Sequence, residues 1–287
     1  MKLIQLVAAI ITASTVSAAQ PRFRIAYATY LGGSGEDDAI MGLRLDAAGN
    51  LYVAGHIQST DFPVTPGAAQ PKASGMSDCC LAKLAPDASR LLYATYLGGS
   101  GNEFAEHRPW LCVDGAMPLA GFCASPDFPT TAGALQRQPK GKSDGFLTKL
   151  APDGRRLVFS TLLGGSASEN LLMPTVDNAG NIYAVGSTGS RDLPVTPDAL
   201  QPAFGGGEED ALLAILSPDA SRLLYCTYLG GRGDEMIRSL ALGPNGEVHL
   251  VGSTSSPDFP TTPRVLQPTF GGGGGDAFVV KLVLARW

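Results

Sequence analysis

Tyr93-Ala-Thr-Tyr-Leu-Gly-Gly-Ser-Gly101 decides the fold, because the chain writes it four times. Tyr27 to Gly35 repeats it without change, and Phe159 to Ala167 and Tyr225 to Gly233 are close variants. Each step is 66 residues. Other marks keep the same beat. Gly33, Gly99, Gly165 and Gly231 close the glycine pairs, and Asp78, Asp144, Asp210 and Asp276 each open a short apolar run. A fixed period of this length signals an array of one supersecondary unit, in which each unit buries its apolar faces against its neighbours.

The units run 27–92, 93–158, 159–224 and 225–287, and residues 19–287 read as a single domain without a linker. Each unit holds four strand-like pieces. In the first unit these are Tyr27 to Leu31, rich in aromatics and Thr; Ile40 to Leu45; Leu51 to Gly55; and Cys80 to Leu84. Asp46-Ala-Ala-Gly49-Asn50 joins the second piece to the third, with residues that tolerate the positive φ a tight hairpin needs. Between the third and fourth pieces lies an excursion carrying Asp61-Phe-Pro63, echoed at Asp127, Asp192 and Asp258. A Thr follows two residues after each Pro, and a Gln five residues after that Thr. Nothing sustains a helical period.

Four short antiparallel strands per unit predict an all-β fold, a β-propeller of four 66-residue, four-stranded repeats. The phase of the chain matters. The array begins with a first-type strand and ends with a fourth-type strand, so each blade takes its last strand from the start of the next unit. The final blade then lacks that strand and Tyr27 to Leu31 is left over. Pairing the two ends would close the ring and remove two open sheet edges, which are aggregation liabilities.

The N-terminus reads as a signal peptide over residues 1–18: Lys2, an apolar stretch from Leu3 to Ile11, and the small-residue site Val16-Ser-Ala18. It is too short for a membrane anchor, and no other stretch is long and apolar enough to span a bilayer. This predicts export to the periplasm, the cell surface or the medium. The net charge of −5, without a basic cluster, argues against nucleic acid as a partner. The 36 glycines and 21 prolines recur at fixed places and read as turns rather than disorder. Cys79, Cys80, Cys112, Cys123 and Cys226 ignore the period, so no disulfide framework is expected. Cys112 and Cys123, flanking a hairpin, are the best-placed pair.

The motif order Tyr-x-Thr-Tyr-Leu-Gly-Gly-Ser-Gly, Asp-x-x-Gly-Asn-x-Tyr-Val-x-Gly, Asp-Phe-Pro-x-Thr, and Gly-Gly-x-x-Asp-Ala-Phe-x-x-Lys-Leu resembles the bacterial β-propeller repeat family called SBBP. The likeness covers Tyr27 to Leu282. It implies an exported interaction module and supplies no catalytic residues. The family's name refers to seven blades, against four repeats here.

The residues themselves offer little chemistry. Nucleophilic catalysis needs a base beside a nucleophile. The three histidines, His56, His107 and His249, occupy unrelated phases of the repeat. Asp61, Asp127, Asp192 and Asp258 read as caps on turn amides. Glu36-Asp-Asp38 and Glu208-Glu-Asp210 lack the alternating ligand spacing of a Ca²⁺ loop, and no Cys/His set suits zinc, so no metal and no cofactor are expected. Gly271 to Gly275 leads into a strand and is no phosphate loop. Arg232-Gly-Asp234, which spells an adhesion tripeptide, reads as a variant of the repeat. The departure from the pattern is in the second unit. There Glu106, His107, Arg108 and Trp110 put charge and an aromatic where other units have a plain strand. The segment is either a decayed blade or a ligand site. Two classes remain: a non-catalytic scaffold binding protein or glycan, with self-association possible, or a propeller enzyme of lyase or lactonase type with its site at one mouth of the channel.

Overall fold

The computed structural model describes residues 24–35, 39–105 and 115–283. Residues 1–18, read above as a signal peptide, Glu106 to Trp110 and Cys112 lie outside them. The described residues contain fifteen strands and no helix. In chain order the strands are β1 (Ala39–Leu45), β2 (Leu51–Ile57), β3 (Asp78–Leu84), β4 (Leu91–Leu97), β5 (Glu103–Ala105), β6 (Met117–Cys123), β7 (Asp144–Leu150), β8 (Leu157–Leu163), β9 (Glu169–Val176), β10 (Ile182–Thr188), β11 (Asp210–Leu216), β12 (Leu223–Leu229), β13 (Glu235–Leu242), β14 (Val248–Thr254) and β15 (Asp276–Leu282). They form four antiparallel meanders: β1–β4, β5–β8, β9–β12 and the three-stranded β13–β15. The first-type strands β4, β8 and β12 close the sheet of the preceding unit, as the phase of the repeat predicts.

Local chemistry fixes the hairpins. Gly49, Gly180 and Gly246 take φ of 80, 83 and 84° in the β1–β2 type of turn. Asp46 Oδ1 accepts from the amides of Ala48 and Asn50 at 3.0 and 2.9 Å, and Asp177 repeats this in the third unit. Bulges recur too. Leu92, Val158 and Leu224 are skipped in the ladders from β4, β8 and β12 to their neighbours. Pro118 sits in β6 opposite Lys149 of β7.

The excursion is more than a connection. It runs along the outer edge of its own sheet and clamps it. Thr65 N donates to Ala94 O at 3.1 Å and Tyr96 N donates to Gln70 O at 3.1 Å, so β4 is bonded on both sides. Thr131 and Gln136 do the same for β8, and Thr196 and Gln201 for β12. Unpaired outer edges are thereby covered.

Successive sheets pack through their first strands: β5 on β2 and β3, β9 on β6 and β7, β13 on β10 and β11. Each joint is an apolar cluster shared by two sheets. Tyr52, Leu81 and Tyr93 meet Met117, Leu119 and Phe146 in the first; Leu147 and Leu163 meet Leu171, Leu212 and Leu216 in the second; Val185 and Leu213 meet Ile237, Leu250 and Phe278 in the third. Burying one such side chain is worth roughly 1.5–3 kcal/mol, so the joints hold the array together.

The expected pairing of the ends is absent. Tyr27 to Leu31 belongs to no strand, and Tyr30 is fully exposed. β15 is the outermost strand of its sheet. The packing advances from one sheet to the next and does not bring the fourth sheet back to the first, so the leftover strand has nothing to pair with.

Polar joints and the candidate binding segment

A second layer of interactions crowns each apolar joint, and it explains both glycines of the Gly-Gly corner. Asp127 Oδ1 accepts from Ser100 N at 2.7 Å and from Ser100 Oγ at 2.8 Å. Asp61 and Asp192 hold Ser34 N and Ser166 N in the same way, each at 2.8 Å, and Asp258 holds Arg232 N at 3.0 Å. These bonds hold Asp61, Asp127 and Asp192 below the ordinary carboxylate range, the amides of Ser34, Ser100 and Ser166 being the main cause. The aspartates are caps, but they cap a corner more than twenty residues away rather than their own turn. A Cβ on Gly99 would lie 2.6 Å from Asp127 Oδ1 and 2.6 Å from Ser125 Cβ, which is why the second glycine of the pair recurs.

The first glycine makes room for a pair of buried carboxyls. Glu103 Oε2 accepts from Gly99 N at 2.8 Å and its Oε1 accepts from Ser125 Oγ. Glu169 and Glu235 repeat this with Gly165 and Thr188, and with Gly231 and Thr254. Asp78, Asp144 and Asp210 stand opposite. Asp78 Oδ2 accepts from Ser74 N at 2.7 Å and Gln70 Nε2 at 3.2 Å, tying the end of the excursion to the head of β3. Asp276 accepts from Gly271 N and Gln267 Nε2 in the fourth unit. Burial pushes Asp78, Glu103 and Glu169 above their ordinary range. Asp210 rises to about 6, first because it is buried and then because Glu235 carries like charge beside it. Its Oδ1 is buried without a hydrogen-bond partner, and a Cβ on Gly230 would lie 2.7 Å from that atom.

Spacing in the sequence contained more of this than it disclosed. Ser59, Ser125, Ser190 and Ser256 stand two residues before the capping aspartates and were not singled out, yet Ser59, Ser125, Ser190 and Ser256 accept from Gly35, Gly101, Ala167 and Gly233 amides at 2.7–2.9 Å. Tyr96 and Tyr228 are likewise two-way links: Tyr96 Oη accepts from Phe62 N at 2.9 Å and donates to Ser59 O at 2.9 Å, and Tyr228 Oη does so with Leu193 N and Ser190 O.

The remaining singled-out residues fall apart in space. His56 lies in β2 with its ring 4.6 Å from that of Phe104, and His249 is exposed in β14 of another sheet. Among the described residues, no group of three His, Cys, Asp or Glu is placed to hold a metal ion. In Arg232-Gly-Asp234, the exposed Arg232 side chain brings Nε 3.4 Å from Asp258 Oδ2, and Asp234 Oδ1 accepts from Glu208 N at 2.6 Å. Cys79, Cys80, Cys123 and Cys226 are buried as thiols. Burial pushes Cys123 and Cys226 up to about 12, which makes them poor nucleophiles.

Glu106, His107, Arg108 and Trp110 lie outside the described residues. β5 runs up to Ala105, the last described residue before them. Gly115, which follows, has φ 74°, and a Cβ there would lie 3.6 Å from Tyr52 Oη of the first sheet.

A model of the SBBP family, described as a beta-propeller repeat, matches residues 26–63. That stretch covers the leftover strand, β1, β2 and Asp61-Phe-Pro63, and it carries the repeat whose motifs return at 66-residue steps. No match to the chain was found among curated proteins.

Proposed function

We propose that this chain is an exported, non-catalytic β-propeller scaffold that binds a protein or glycan at the cell surface or in the periplasm. Its four sheets act as blades, and residues 106–110 carry the contact. The observation that supports this is the division of labour between the units. The recurring polar residues that could suggest chemistry are already engaged: the carboxylates of Asp61, Asp127 and Asp192 hold backbone amides, and Glu103, Glu169 and Glu235 hold the corners of the joints. The second unit departs most from the repeat, and there the sequence brings Arg108 and Trp110, side chain types that most often dominate interfaces. A connection on a rigid frame varies without cost to the core.

The test is a screen of the purified protein against exported polysaccharides and surface proteins, followed by the Arg108→Ala, Trp110→Ala double variant. The expected result is a loss of at least about tenfold in affinity, roughly 1.4 kcal/mol, with an unchanged melting midpoint. Undiminished affinity in a folded double variant would assign the segment to drift. Turnover of a screened glycan or lactone would replace the scaffold by an enzyme.

A further inference from the structure

Among the described residues, the fourth sheet lacks the outer strand that the other three carry. In the other three sheets the outer strand lies between a ladder and the excursion. β12 is bonded to β11 on one side and to Thr196 and Gln201 on the other. In the fourth sheet both walls of that slot stand without the strand. β15 is one wall, with Val279 80 % exposed, while its counterparts Leu81, Leu147 and Leu213 are each 1 % exposed. The excursion with Thr262 and Gln267 is the other, with Leu266 fully exposed. Gln267 is already set. Its Nε2 donates to Thr269 O at 3.2 Å and to Asp276 Oδ2 at 3.3 Å. These are the anchors that orient Gln201 on Ala203 O and Asp210 while its Oε1 accepts from Gly230 N at 2.9 Å.

The strand that fits is Tyr27-Ala-Thr-Tyr-Leu-Gly32, and the repeat fixes its register. Phe278 would face Tyr30, as Leu212 faces Tyr228. Val280 would face Ala28, as Ala214 faces Cys226. Tyr30 Oη would accept from Phe259 N and donate to Ser256 O, as Tyr228 does with Leu193 and Ser190. Yet this segment cannot serve its own fourth sheet in the observed arrangement. It runs directly into Ser34 and Gly35, which are held to the first sheet by Asp61 and Ser59, and the fourth sheet does not lie beside the first. The two ends nevertheless present the two halves of one joint. Ile40 and Leu43 are exposed on the first sheet, where Leu171 and Ile237, the counterparts of Ile40, and Leu240, that of Leu43, are buried; Leu45 is exposed where Val176 and Leu242 are half-buried. Val251 is 42 % exposed on the fourth, where Ala54, Ala120 and Val185 are at most 2 % exposed.

We propose that a second copy of this chain completes the slot. Each copy inserts Tyr27–Leu31 between β15 and the excursion of the other, and the exposed face of each first sheet packs on the other's fourth. A heterologous contact made twice about a two-fold axis is closed. It gives a ring of eight sheets, within the usual range for propellers, with its outer edges covered.

Light scattering on the purified protein should give the mass of two chains at micromolar concentration. Thr29→Pro, in a segment that is no strand in the single chain, should halve that mass while the protein still unfolds cooperatively, because Pro cannot join the ladder. To place the strand, Ala28→Cys and Val280→Cys are made as separate single variants in a Cys112→Ser background, mixed, and oxidised. A disulfide between the two different chains is expected. A single-chain mass for the unaltered protein, a mass above two chains, or no interchain cross-link in the mixture would overturn the proposal. So would an intrachain cross-link in the double variant, which would show that a chain closes on itself.

Discussion

At the scale of single residues, close approach of backbones governs much of the glycine pattern. Gly186 faces β9 so closely that a Cβ would run into Asn170 O and lie 2.9 Å from Asn170 C. The crowding comes from the neighbouring strand of the same sheet, not from the next sheet. Gly186→Val is expected to destabilise by about 3 kcal/mol through overpacking, read as a drop in denaturation midpoint without a change in slope. Asp210 gives a pH test. Its folded pKa of about 6 lies above the ordinary 3.8. Between those values the folded state holds a proton that the unfolded state has lost. Stability from this group is therefore present below about pH 4, falls as pH rises through 6, and is gone above that. The loss should be on the order of 2–3 kcal/mol, and Asp210→Asn should remove this part of the slope. An unaltered pH profile in that variant would count against the buried Asp210–Glu235 pair. The recurrence of Asp210 and of both corner glycines was legible in the sequence. Their reason was not, because Glu235, Ser256 and Asp258 come from the following unit and meet the corner only after the sheets stack.

At the scale of elements, the excursion is what spacing alone could not interpret. The period put Thr196 and Gln201 in view but gave no reason to expect them on the far side of β12. Gln201→Ala removes an acceptor for Gly230 N, a donor to Ala203 O and a partner of Asp210. It is expected to cost about 2 kcal/mol, because it leaves partly buried groups unsatisfied. Hydrogen exchange would check it, with the amides of β12 accelerated more than those of β10. The hairpins, by contrast, were readable at once, since Asp46-Ala-Ala-Gly-Asn50 carries its own turn chemistry. The turn before β4 was only half readable: Ala88 and Ala220 take φ of 53 and 54° where the second unit has Gly154 at 72°. Nothing local in Pro-Asp-Ala-Ser announces that.

At the scale of the whole molecule, the period foretold the offset seams between units but not that the ends would stay apart. Seams are local, set by one strand and its neighbour, whereas closure depends on the turn accumulated over every joint. The stability of such an array is a sum over units and joints. Cys79, Cys123 and Cys226 sit inside those joints as small buried thiols. Reducing agent is therefore expected to leave the melting midpoint within about 1 °C, while alkylation of these thiols should require denaturant; a large drop on reduction would point to a disulfide that holds the fold.

Because each outer strand is borrowed from the unit that follows, the boundary of duplication and the boundary of folding never coincide. A crossover that adds or removes one whole span, such as residues 93–158, cuts through a sheet on paper and yet rejoins it with an equivalent strand, an equivalent clamp and an equivalent capped corner. The seam that would be broken by any other length of insertion is restored by this one. The architecture is thus one that recombination can lengthen or shorten by counting, so that the number of sheets is free to drift while the chemistry between them is not.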